Sequence, residues 1–87
     1  MASFEIRFKE SVAKDLRHLP NKDVRRILKR VDVLRNEPRP TGCEKLSAQE
    51  RYRVRQGVYR IIYEIKNEEL IIIVVKVGHR REVCERS

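Results

Sequence analysis

The chain has 87 residues and 10.4 kDa, with 21 Lys+Arg against 13 Asp+Glu, a formal charge of +8 and a sequence pI near 10.0. A chain of this length forms one small domain over residues 1–87 with a modest core, and its charge favours an anionic partner such as nucleic acid or an acidic protein. Two distant cysteines, Cys43 and Cys84, exclude a disulfide scaffold and a clustered zinc site, and neither "MASFEIRFKE" nor the apolar run Leu70 to Val75 reads as a leader or a span, so a membrane-free life in a reducing cytoplasm, without metal or other cofactor, is the expectation.

Ser3 to Phe8 alternates, with Phe4, Ile6 and Phe8 on one face, and predicts a half-buried strand. From about Lys9 the period becomes helical through Val12, Leu16 and Leu19, until Pro20 stops it. Asn21 stands where an N-cap belongs, and Val24, Ile27, Leu28, Val31 and Leu34 form the stripe of a second helix ending near Arg35. The segment "NEPRPTGCEKLSAQE", Asn36 to Glu50, has no sustained period; a connection this long is often functional, and Leu46 is the residue expected to pin it to the core. Three strands follow, Arg51 to Arg55, Val58 to Ile65 and Leu70 to Val77, joined by hairpin turns at "QG" and "KNEE". The order β-α-α-β-β-β predicts an α+β fold: an N-terminal strand, an antiparallel helical hairpin and a three-strand antiparallel meander, with the helices on one face of a twisted sheet.

The stretch "YRVRQGVYRIIYEI" is unusual for that open face. With "QG" as the loop, Arg53 faces Arg60, Val54 faces Tyr59 and Tyr52 faces Ile61. The apolar positions then meet the helices, while Arg51, Arg53, Arg55 and Arg60 share the other side. Lys76 and Arg80 share one parity of the last strand and join them if that parity is the open one; Ile62, Ile72 and Val74 would then supply an apolar floor. Like charges opposed on a sheet repel, and Arg51 to Arg60 holds four arginines and no acid, so an anion is expected there unless acids from the connection pair them. Arginine suits bidentate phosphate contact.

These motifs, together with "LRHLP", "NEPRPTGCEKL" and "VGHRREV", resemble the RelE branch of the RelE/ParE superfamily of toxins from type II toxin–antitoxin systems, over nearly the whole chain. The resemblance implies a ribosome-dependent endoribonuclease that cuts mRNA in the ribosomal A site and inhibits translation. It also implies neutralisation by a cognate antitoxin, with operator DNA bound only through the antitoxin complex. The superfamily further includes non-enzymatic gyrase poisons, which is the alternative reading, and a catalytically weakened member that still binds antitoxin is another.

On that resemblance Arg53, Arg55, Arg60 and Arg80 match the family's catalytic basic positions. RNA can be cut when its own 2′-hydroxyl attacks the adjacent phosphate, leaving a cyclic 2′,3′-phosphate and a free 5′-hydroxyl; the protein must align, stabilise charge and move two protons. Arg55 and Arg60 suit charge stabilisation, and Arg80 the leaving oxygen. Arg53 is a poor base because its guanidinium hardly deprotonates. Relatives of this type commonly end in a motif like "HRREVY", where this chain reads "HRREVC": Cys84 either replaces the tyrosine, or leaves a weakened toxin, or simply packs. His79 is the alternative base. Arg51, Lys76 and Arg81 complete the expected substrate contacts, His18 faces solvent, and Glu50, Glu64 and Glu82 are available to orient arginines.

Overall fold

A computed structural model describes residues 3–46, 50–79 and 81. The elements run β1 (Glu5–Phe8), α1 (Glu10–Arg17), α2 (Asn21–Val33), β2 (Glu44–Lys45), β3 (Arg51–Gln56), β4 (Tyr59–Lys66) and β5 (Ile71–His79). They build one five-stranded sheet of order β1-β5-β4-β3-β2, antiparallel except for the parallel pair β1/β5. The predicted α+β fold is present. The two-residue strand β2, which no periodicity could announce, is added at the edge.

One sheet face carries the core. Tyr52 and Val54 of β3, Ile61, Tyr63 and Ile65 of β4, and Ile72, Val74 and Val77 of β5 pack with Val12 of α1 and with Ile27, Val31 and Leu34 around α2. Period two on the strands and the helical stripes therefore converge on one layer. Neither helix has a side-chain N-cap: Pro20, not Asn21, occupies the position before α2 at φ −59°, and its carbonyl accepts from the amides of Asp23 and Val24. Proline's fixed φ supplies the entry angle that an Asn side chain would otherwise secure. None of the described helices is long and apolar enough to cross a membrane.

The connection is held by a polar clamp rather than by Leu46, which stays outside the core cluster and joins the sheet through its amide to the Arg51 carbonyl (2.9 Å). Cys43 packs on the core instead, Pro40 is buried, and Tyr63 donates its hydroxyl to the Pro38 carbonyl at 2.6 Å. Arg39 lies 5.2 Å from the Tyr52 ring centre, donates from Nε to Tyr52 Oη (2.9 Å) and reaches Glu50 and Asn67, each at 3.4 Å. Tyr52 in turn donates to Glu50 Oε2 at 2.5 Å. Pro38 and Pro40 keep the first part of this segment from forming regular structure before β2 begins at Glu44, and the clamp gives its long path one shape.

Two turns differ from expectation by a residue. Leu70 belongs to the turn Asn67–Leu70, at φ 56°, and its carbonyl accepts the Glu5 amide at 2.8 Å, so the turn aims a carbonyl at β1. The other turn is Gly57-Val58, closed by Gln56 opposite Tyr59, with Gly57 at φ 60° as the first residue of a type II′ turn requires. A Cβ on Gly57 would meet nothing within 4 Å, so Gly57→Ala tests the backbone alone. Urea denaturation should show a loss of about 1 kcal/mol.

The hydrogen bond from Tyr52, followed by the contact with Arg39, lowers the Glu50 carboxyl below its ordinary value. A lowered folded-state value means stabilisation that is complete above the unfolded value and disappears as pH falls through the folded one. Stability should therefore drop on acidification from about pH 4.5 downward. Chemical denaturation at stepped pH should show a smaller contribution of this kind in Tyr52→Phe; identical pH profiles for the two proteins would remove the clamp from the account.

Candidate functional site

The turn at Gly57-Val58 sets which arginines meet. Arg51 lies opposite Glu64, Arg53 opposite Ile62, and Arg55 opposite Arg60, where the sequence suggested Arg53 opposite Arg60. Moving the turn by one residue changes each partner by two, and a shift of two conserves the face. All four arginine positions therefore lie on the side of the sheet away from the helices, as expected, but in a different arrangement.

Acids have neutralised part of this face. Arg51 makes a 2.5 Å ion pair with Glu64 across the β3/β4 ladder, and Arg53 makes one of 2.5 Å with Glu44 of β2. The Arg53 side chain is only 6% exposed whereas Glu44 is 60% exposed, so the carboxylate is the solvated partner of a buried, permanently charged guanidinium. Glu64 thus orients an arginine as anticipated, and so does Glu50, whose arginine is Arg39 of the clamp; Glu82 lies outside the described residues. Glu44 was not singled out in the sequence. Its only signal there was membership in a connection able to bring acids to the arginines.

Arg55 and Arg60 lie closer to the turn. Arg55 is exposed and makes no ion pair among the described residues, and the half-buried Arg60 sits between it and Gly78 of β5, which presents no side chain. The pair next to the closing pair of a two-residue hairpin is a non-hydrogen-bonded one, in which side chains approach most closely. Two cations are thus held side by side at the rim, with Ile62, 5% exposed, behind them as floor.

The last strand departs from the expected parity. Ile62 pairs with Lys76 but Tyr63 pairs with Val74, leaving Val75 as an unpaired residue at a bulge. A bulge adds one residue to one strand and reverses which parity faces which side. Ile72 and Val74, expected as floor on the arginine side, therefore lie in the helix-side core, both 0% exposed. Lys76 pairs with Ile62 and so keeps the arginine-side register position expected of it, while its ammonium lies 3.4 Å from Asp15 of α1. His79 continues β5 opposite Tyr59, on the helix side; its ring stands edge-on to Tyr59 at 6.3 Å, and its Nδ1 accepts from the Arg81 amide at 3.2 Å. It lines a cleft of about 460 Å³ with Asp15, His18 and Leu19, across the sheet from Arg55 and Arg60. Arg81 and His18 are exposed. Arg80 and Cys84 lie outside the described residues.

What the described arrangement can do is hold a phosphodiester: two adjacent guanidiniums, one exposed and one half-buried, supply paired donors to nonbridging oxygens. Its rigidity depends on the buried Arg53. Glu44→Gln should cost roughly 1–3 kcal/mol of stability, and a double-mutant cycle with Arg53→Met should return a coupling of at least about 0.5 kcal/mol. Additive losses would show that the pair is not a supporting element.

Comparison with known proteins follows the same architecture. The family model described as the ParE toxin of the type II parDE toxin–antitoxin system matches residues 6–84. A RelE toxin candidate of Methanocaldococcus jannaschii is 30% identical over 81 residues, 88% of this chain and 90% of that one. The archaeal RelE–RelB complex of Pyrococcus horikoshii contains a chain that superposes with a TM-score of 0.82 at 30% identity, covering 93% of this chain and 99% of that one. A RelBE toxin–antitoxin complex of Mycobacterium tuberculosis gives 0.79 at 25% identity, with coverages of 90% and 99%.

Proposed function

The chain belongs to the RelE/ParE superfamily of toxins of type II toxin–antitoxin systems, and from that premise we propose that it is a ribosome-dependent endoribonuclease that cuts mRNA in the A site and stops translation. The observation carrying this reading is the juxtaposition of Arg55 and Arg60 on the open sheet face. In the proposed reaction the 2′-oxygen attacks the adjacent phosphorus as its proton passes to a base. The bond to the 5′-oxygen breaks, and that oxygen takes up a proton. Arg55 and Arg60 hold the nonbridging oxygens as negative charge grows on them, and water is not the nucleophile. Arg53, locked by Glu44, acts from behind as a fixed positive charge rather than as a base. Arg80 is proposed at the leaving oxygen, with Cys84 in the place of the family's tyrosine. Arg51 and Lys76 hold acids of their own chain, which leaves Arg81 as the better candidate for contact with flanking phosphates.

The partner proposed for the idle state is a cognate antitoxin, as in the complexes of the Pyrococcus horikoshii and Mycobacterium tuberculosis relatives, and the site of action is the cytoplasm. Operator DNA is reached through the antitoxin. A second reading, a non-enzymatic gyrase poison, draws on the ParE description of the matching family model and on the neutralisation of Arg51 and Arg53 by acids.

Primer extension on a translated mRNA separates the two. Cuts within the A-site codon, present only with ribosomes and reduced at least about 100-fold in Arg55→Ala and Arg60→Ala, are the expected result. Inhibition of gyrase with an uncut message would favour the second reading. Cutting by Cys84→Tyr but not by the native chain would identify a toxin weakened at its last catalytic position.

A further inference from the structure

The hairpin that carries Arg55 and Arg60 runs beyond the packed core. Val54 and Ile61 are fully buried, and of residues 55–60 between them it is the half-buried Tyr59 that packs on the core cluster. Tyr59 also lines two clefts, one of about 460 Å³ shared with His18 and Leu19 after α1, and one of about 240 Å³ shared with Asp23, Arg26 and the turn. Packing alone therefore holds the tip weakly, because a side chain that faces a void has no partner atoms on that side. At the smaller cleft the Tyr59 hydroxyl donates to Asp23 Oδ2 at 2.8 Å. Asp23 stands in the first turn of α2, and its own amide donates to the Pro20 carbonyl at 3.0 Å. The positive end of the helix dipole favours the ionised carboxylate, so the bond is of the stronger, charge-assisted kind. A phenol is rigid, so fixing its oxygen fixes the backbone of Tyr59. Arg60 is the next residue, and Gln56, paired with Tyr59, follows Arg55.

We propose that Tyr59 and Asp23 are positioning residues for the phosphodiester: their bond ties the hairpin tip to the helical layer and so sets where Arg55 and Arg60 stand. The proposal rests on the endoribonuclease reading above for the reaction it serves. Tyr59 lies on the helix side of the sheet, opposite in direction to Arg60, and acts through the arginines rather than on the substrate. Attack by a 2′-oxygen needs the nonbridging oxygens held on a fixed path, and a misplacement of about 1 Å can cost roughly 100-fold in rate. Without the tether the two guanidiniums keep their face and still bind phosphate. The loss therefore belongs in the rate at saturation and not in the affinity.

The test uses the full chain and ribosomes halted on a message with a defined codon in the A site, with cutting followed under single-turnover conditions. Tyr59→Phe keeps the ring and its edge contact with His79 and deletes the hydroxyl. It should lower the saturating rate by about tenfold or more and leave the half-saturating toxin concentration within about twofold. Asp23→Asn keeps a neutral acceptor and should lose less than Tyr59→Phe. In an Arg60→Ala chain, Tyr59→Phe should cost less than about threefold further, because the group it places is gone. A native saturating rate in Tyr59→Phe would overturn the proposal. So would the full additional loss in the Arg60→Ala chain, which marks a general loss of structure, or a raised half-saturating concentration at unchanged rate, which marks Tyr59 as a contact with the ribosome. Amide hydrogen exchange, read in parallel, needs no cutting: Gln56, Tyr59 and Arg60 should exchange about tenfold faster in Tyr59→Phe, with Tyr63 and Ile65 within about twofold of native. If the native chain does not cut, faster exchange at the tip keeps the tether and sinks only the endonuclease reading. Unchanged exchange at the tip overturns the tether whether or not the chain cuts.

Discussion

The two-residue turn at Gly57-Val58 is the constraint on which the remaining structure depends. It fixes the pairing of β3 with β4, and that pairing decides which side of the sheet each residue occupies. With Tyr52, Val54, Ile61 and Tyr63 committed to the helices, the intervening arginines have nowhere to go but the opposite face. The same turn brings Arg55 opposite Arg60. Tyr59, one residue beyond the turn, is tied to α2 through Asp23, so the tip of the hairpin is anchored to the helical layer. The core and the candidate site are two faces of one register.

Charge is distributed in this molecule by neutralisation as much as by composition. Arg35, Arg39, Arg51, Arg53 and Lys76 each have an acid within ion-pair distance, and these contacts join elements: β2 to β3, β3 to β4, α1 to β5. Their exposed members add little stability, but the pair at Arg53 buries a guanidinium and so constrains geometry. Arg55 and Arg60 lie on the sheet face away from the helices, and Lys22, Arg25, Arg26 and Lys29 are exposed on the outer face of α2.

The likeness to RelE and RelB–RelE structures extends over nearly the whole chain at about 30% identity. That level of identity preserves the sheet order and the helix placement. The individual charges are a separate matter, because an ion pair at the surface tolerates exchange in ways that a core position does not. The functional argument accordingly rests on which arginines of this chain the hairpin register brings together on the open face.

Much of the fold was legible in the residues. Alternation in "SFEIRF" and "YRVRQGVYRIIYEI", the helical stripes either side of Pro20, and the prolines of the connection defined the element order and the open arginine face, because periodicity and proline geometry are local properties. The clustering of Arg53, Arg55 and Arg60 on one face was likewise readable, since a two-residue change of register leaves parity untouched. Three things were decided only by tertiary structure. The turn settled on Gly57-Val58 because glycine's positive φ is best used at the first turn position. The bulge at Val75 reversed the parity of β5, carrying Ile72 and Val74 into the helix-side core, and a uniformly apolar strand has no alternation from which to foresee it. Glu44 found Arg53 across 9 residues of sequence because the connection, clamped by Arg39, returned it to the sheet edge as β2. Sequence determined which residues alternate; contacts distant in the chain determined which charges meet.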